Sequence, residues 1–220
     1  MILCNRVRIW SPAPDEMRTG LRSAVATALS AAFSSRDWEC SPMPVGGASD
    51  PQSALGILTE LCERGPTLVA TPESPAAPDS PVLGCVLGGV LDARLIDSYG
   101  LGNFGACAGD GLLAYIGVTP AAQGARGRLR GGDIIEELCA GPDAQNEPGA
   151  AVSLASVLFS SWLALPEVSS LPTVFIRTRE TIAPILHLLD KHGFDYQGRF
   201  EIEFRGECQR RLVYSRENRV

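Results

Sequence analysis

The chain has 220 residues, 45% apolar and 20% charged, which suits one domain with a sizeable core and excludes a disordered polar chain. Its formal net charge of −6 argues against a protein that coats nucleic acid and leaves room only for a local basic patch. No apolar run approaches the roughly 20 residues of a membrane span, and the start, MILCNRVRIWSP, lacks the apolar stretch of a signal peptide. The expected setting is the cytoplasm, with no membrane partner.

In chain order, RVRIW (Arg6–Trp10) reads as a short first strand. Ser11 then caps a helix over SPAPDEMRTGLRSAVATALSAAF, with acids early and apolar residues at helical spacing. Past the loop ECSPMPVGGAS, a second helix fills Asp50–Gly65, with Leu55, Leu58 and Leu61 on one face and Gly65 at the stop position. Two strands follow, PTLVATPE and PVLGCVLGGVLDARLI, separated by the turn-rich SPAAPDS. The glycines of Ser98–Gly111 mark a longer, mobile connection. LLAYIGV is the next strand, which Pro120 ends, and Ile134, Ile135 and Leu138 recur at helical spacing beyond it. After the polar AGPDAQNEPGA come the apolar helix AVSLASVLFSSWLAL, the strand TVFIRT (Thr173–Thr178) and the helix ETIAPILHLLDKHGF. RFEIEFRG and CQRRLVYSR close the chain as a strand pair. No internal repeat is visible, so 1–220 is read as a single domain of α/β (α+β) class, a sheet with helices on both faces.

Seven cysteines (Cys4, Cys40, Cys62, Cys85, Cys107, Cys139, Cys208) show no CxxC spacing and read as reduced, mostly buried thiols. With only His187 and His192 beside them, no metal cluster is expected.

The strand–loop–helix around residue 124 is the segment with chemical content. Between the strand and the helix lie Gly124, Gly127, Gly131 and Gly132 with Arg126, Arg128 and Arg130. Glycines let a backbone curl around an anion, arginines add charge, and a helix N-terminus offers free amides, so the loop reads as a phosphate cradle. Neither GxxxxGK[ST] nor GxGxxG is present.

VTPAAQG (Val118–Gly124) resembles the V-x-P-x-x-[QR]-G motif that ends the central strand of GNAT N-acetyltransferases. VFIRTRETIAPILHLLDKHGF (Val174–Phe194) resembles the later strand and helix of that superfamily, which lead to a Gly-Phe pair. The resemblance implies a GNAT-type mixed, mostly antiparallel sheet flanked by helices and splayed at its central strands. It further implies transfer of an acyl group, acetyl first, from acyl-CoA to a primary amine of a small molecule by direct attack. Backbone groups of Ile116 and Val118 would then pair with the pantetheine arm. Gln123, Gly124, Ala125, Arg126, Gly127, Arg128, Arg130 and Gly131 would wrap the pyrophosphate, and the Val118 N–H would hold the oxyanion.

The superfamily's usual loop spacing is met from both ends only if a few residues are inserted. Its usual acid and base are missing: Leu113-Ala114-Tyr115 carries no carboxylate, and Leu189 stands where a thiolate-protonating Tyr is common. Tyr115 and His187 are the replacement candidates. His192, at a helix end, Asp110, which opens the central strand and could steer a cation, and Cys107 carry less weight. Two rivals keep the fold: a transferase using an aminoacyl-tRNA donor, and a non-catalytic CoA-binding or scaffold module. Against the tRNA donor stands the net charge; for it stand the basic residues near Arg126, Arg128 and Arg130 and around Arg205, Arg210 and Arg211. A homodimer is left open.

Overall fold

The computed structural model describes residues 2–13, 16–17, 21–33, 61, 65–73, 81–140, 151–180, 182–204 and 207–218. In order these form β1 (Ile2–Trp10), α1 (Arg22–Phe33), β2 (Thr67–Pro72), β3 (Gly84–Val90), α2 (Ala93–Tyr99), β4 (Gly111–Val118), β5 (Arg126–Arg130) and β6 (Ile134–Cys139). There follow β7 (Ala151–Ser153), α3 (Leu154–Leu163), the one-turn α4 (Pro166–Ser169), β8 (Thr173–Arg179), α5 (Ala183–Lys191), β9 (Asp195–Phe204) and β10 (Glu207–Glu217). The strands make one ten-stranded sheet in the order β7-β5-β6-β1-β2-β3-β4-β8-β10-β9. Of the pairings described, β4 with β8 is the parallel one. Among the described residues no helix is long and apolar enough to cross a membrane.

Both faces of the sheet are covered. On one, Leu29 and Val25 of α1 pack with Val69, Cys85, Leu87 and Tyr115, while Leu95 and Tyr99 of α2 pack with Leu112, Phe175 and Val213. On the other, α3 and α5 pack with Val7, Ile9, Leu68, Val86, Leu113 and Ile176. β3, covered on both sides, is buried from Gly84 to Gly89. Its Gly88 lets Trp162 of α3 pack directly against the strand: a Cβ there would overlap the indole ring and come within 2.8 Å of Leu112 O. Gly88→Ala should therefore destabilise the protein by about 1–3 kcal/mol, the usual cost of an overpacked core. The drop in the urea midpoint at unchanged slope checks it.

The expected helix after the Gly/Arg loop is absent. Arg126–Arg130 and Ile134–Cys139 form an antiparallel hairpin that joins the sheet beside β1. The helical spacing of Ile135 and Leu138 comes from a β-bulge. The β5–β6 register shifts between Arg126 and Arg128, and Glu137 takes φ +51°. One extra residue stretches the inward period of two to three, so both side chains face the core. The few inserted residues become a whole hairpin plus β7 between β4 and α3.

Pro81–Ile96, read as one strand, breaks after Val90, because the Asp92 carboxylate accepts from Leu95 N at 2.8 Å and starts α2. The connection expected to be mobile is pinned by Tyr99 and the fully buried Leu101. Most of the Asp50–Gly65 helix, the loops at 39–49, 74–80 and 141–150, and Arg205 lie outside the described residues. Of the five cysteines described, only Cys85 is buried, against the expectation of mostly buried thiols.

Candidate active site

Strands β4 and β8 pair through Gly111↔Val174, Leu112↔Phe175 and Leu113↔Ile176, and then part. The cause is local. Opposite β3, Leu113 faces Gly88 and Tyr115 faces Leu87, so Ala114 is an extra residue, and such a bulge bends and twists its strand. Beyond the bulge, Thr119 N donates to Leu83 O at 2.9 Å while Val118 lies opposite Gly84. That register makes Val118 and Ile116 non-hydrogen-bonded positions of the β3 ladder. Their N–H and C=O groups consequently point away from β3, into the gap left by β8. Gln123 Nε2 reaches back to Val118 O at 3.2 Å.

The chain leaves β4 by a short 3₁₀ turn, and Gly124 at φ +71° redirects it into β5. From Arg126 to Arg128 the backbone pairs with both β6 and β7, which commits it to the sheet. Gly127 allows this close approach, since a Cβ would overlap the Ile135 side chain. Gly131 and Gly132 form the hairpin turn. Ala125 is buried in the core. The arginines turn away from α3: Glu136 meets Arg130 Nη1 at 2.7 Å and Arg6 Nε at 3.9 Å, on the face opposite Val7 and Ile135. Arg128 stands across from Glu136 on that same face. Among the described residues, the first α-helix N-terminus after β4 is that of α3, where Ser153 Oγ accepts from Ser156 N at 3.1 Å.

On the α1/α2 face, the gap is flanked by Tyr115 on β4 and by a row of arginines. Arg177 Nη1 donates to Tyr99 O at 3.1 Å, and its guanidinium sits 4.7 Å from the centre of the Tyr99 ring. The side chains of Tyr115 and Tyr99 are hydrogen-bonded to each other. Burial, with the nearby Tyr99, pushes the Tyr115 phenol well above the ordinary tyrosine range. Across β8 and β10, Arg179 lies directly opposite Arg211. Burial first, and then the charges of Arg179 and Arg177, lower Arg211 to about 10.

Neither a protein-family model nor a curated protein matches the sequence. Solved structures do, along nearly its whole length. YncA from Salmonella typhimurium, solved with its cofactor acetyl-CoA, superposes with a TM-score of 0.57 at 12% identity, over 97% of this chain and 95% of that one. An acetyltransferase of the GNAT family from Streptococcus pneumoniae gives 0.52 at 13%, over 96% and 98%. The ribosomal-protein-alanine N-acetyltransferase from Brucella melitensis gives 0.52 at 13%, over 95% and 98%. The chain has the GNAT fold. At these identities the likeness concerns the fold, and the parting of β4 and β8 is the GNAT splay.

Within this GNAT fold the remaining candidates scatter. His187 is exposed on α5. Leu189, aligned with the usual Tyr acid, is fully buried in the core on the α3 side, so a side chain there faces packing and not the gap. His192 pairs its Nε2 with Ser160 Oγ at 3.2 Å and lies 5.0 Å from the Phe159 ring. Burial, then Lys191 and Arg216, lowers its pKa. Asp110 is buried and accepts from Cys107 N at 2.8 Å, which occupies the carboxylate inside the fold rather than offering it to a cation. Cys107 is exposed. The arginine row was missed as a group. Arg177 and Arg179 sit in a strand read for its motif, and only same-face alternation across two strands could have joined them to Arg211.

Proposed function

We propose that this GNAT-fold chain is an N-acyltransferase that moves an acyl group, with acetyl the first choice, from acyl-CoA to a primary amine. The carrying observation is the gap beside β4, where Ile116 and Val118 turn ladder-free backbone groups toward β8. Those groups suit the amides of a pantetheine arm, which an extended chain can pair with as an added strand. The Val118 N–H is the donor available to a developing oxyanion. The amides opening α3 suit the pyrophosphate, with the helix dipole adding to the attraction. Acetyl-CoA as bound ligand of YncA supports the same donor. Tyr115 stays protonated near neutral pH, so it serves as hydrogen-bond donor and positioning group and not as general base.

Ala155, in the first turn of α3, gives a test that separates fold from binding. Ala155→Glu adds an acid where the helix dipole favours it, yet sets a negative charge beside the pyrophosphate. Acetyl-CoA affinity by calorimetry should fall about tenfold or more, which corresponds to 1.4 kcal/mol, with the unfolding midpoint retained. Wild-type turnover, followed as amine-dependent release of the CoA thiol, should survive ribonuclease and change little between low and physiological salt. Ribonuclease sensitivity with a steep salt dependence would transfer the reading to an aminoacyl-tRNA donor. Binding without turnover on any amine would make the chain a CoA-binding module.

A further inference from the structure

We infer that the acceptor carries an anionic group, a carboxylate or a phosphate, held by the guanidinium groups of Arg177 and Arg211 where β8 has parted from β4. The inference rests on the acyltransferase reading for the amine, but the anion site itself stands on the arginines.

Phe175 and Val213 pack together against α2, which fixes the face of the sheet on which alternate residues of β8 and β10 lie. Arg177 and Arg179 continue that face along β8, and Arg211 continues it along β10, opposite Arg179. Arg179 and Arg211 are directly opposed, about 5 Å apart at Cα, and Arg177 lies on the diagonal from Arg211 at about 7–8 Å, a span that long side chains bridge. The last β4–β8 pair is Leu113↔Ile176, and Arg177 and Arg179 therefore stand just past it, on the wall of the gap. Tyr115, the first β4 residue after the bulge, shares their face.

The polar partners of Arg177 and Arg211 are neutral. Arg211 is 3% exposed, and its Nη2 meets Gln209 Oε1 at 2.7 Å while its Nη1 meets Arg210 O at 3.4 Å. Arg177 meets the Tyr99 carbonyl and ring. Among the described residues no carboxylate forms an ion pair with either one. On the opposite face the charge of Arg210, by contrast, is met by Glu180 at 3.0 Å and Glu201 at 3.9 Å. Keeping the Arg177 and Arg211 guanidinium groups inside the fold with only neutral partners is costly. An arriving anion removes that cost and gains charge-assisted bonds from planar forks that match carboxylate and phosphate oxygens. An amine on the same molecule would then lie toward Val118, across the gap.

Two measurements decide it. In the first, unfolding midpoints are recorded at constant ionic strength with inorganic phosphate and with acetate. At least one anion should raise the midpoint of the wild-type protein, and Arg211→Met should lose that rise. The Met variant should itself be no less stable than wild type without added anion, because a buried repelled charge has gone. A midpoint indifferent to both anions, or an equal rise in the variant, overturns the site. In the second, acetylation is compared within pairs that carry or lack the anionic group: serine with serinamide, and O-phosphoethanolamine with ethanolamine, each at a pH where the amine is protonated to the same extent. The anionic member of one pair should show a KM lower by about tenfold or more, and Arg211→Met should abolish the difference. Which pair responds tells carboxylate from phosphate. Acetyl-CoA turnover with equal KM in both pairs overturns the anionic acceptor and leaves the donor reading standing. Anion stabilisation without acetyl-CoA binding does the reverse.

Discussion

Replacing Val118 with proline is expected to lower kcat for acetyl transfer by about 100- to 1,000-fold, the usual cost of losing one oxyanion donor, with acetyl-CoA affinity near the wild-type value. The substitution is selective because of register. Val118 lies opposite Gly84 at a non-hydrogen-bonded position, flanked by the Thr119–Leu83 bond, so its N–H makes no ladder bond with β3. Proline removes that N–H without breaking a ladder bond to β3, while loss of the half-buried Val118 side chain from the core should lower the unfolding midpoint modestly. Thiol release gives kcat, calorimetry gives affinity, and the unfolding midpoint shows whether the fold is intact. An unchanged kcat in a folded variant would place the oxyanion elsewhere.

Trp162→Ala should cost about 3–5 kcal/mol of stability, read from urea unfolding. The indole is fully buried, lies on Gly88, and donates from Nε1 to Pro66 O at 3.0 Å. Truncation opens a cavity between α3 and β3 and strips that carbonyl of its donor. The pair Gly88 and Trp162 should also couple strongly. Gly88→Ala is destabilising chiefly because the ring is there, so its cost should shrink markedly in the Trp162→Ala background. Simple additivity would show that the clash with Leu112 O dominates instead.

The sequence and the fold agree where local rules and the sheet demand the same residues. Val118–Gly124 and Val174–Phe194 carry their motifs into β4, β8 and α5, and the splay lies between them. The hairpin was illegible because a bulge at Glu137 gives Ile135 and Leu138 a helix-like spacing, and periodicity cannot distinguish the two. Asp92 was a readable cap, hidden inside an apolar run that continues through it. Leu189 shows the limit of motif matching: the position is in line, yet its side chain belongs to the core. The anion site was invisible for a different reason. Arg177 and Arg211 are 34 positions apart, and adjacent Arg210 and Arg211 serve opposite faces of one strand.

The detour between β4 and α3 has a mechanical consequence. The chain leaves the gap, crosses to the far side of the sheet, and returns through β7, whose pairing with β5 runs directly into the first turn of α3. That turn is thereby tethered to a three-strand extension spliced onto β1, and shifting α3 along the sheet would require unzipping those rungs. The β4–α3 side of the gap thus behaves as a stiff anvil. In the proposed enzyme any adjustment to acceptors of different size then falls to the other jaw, β8 with β10 and α5, in which β8 and β10 carry the arginines.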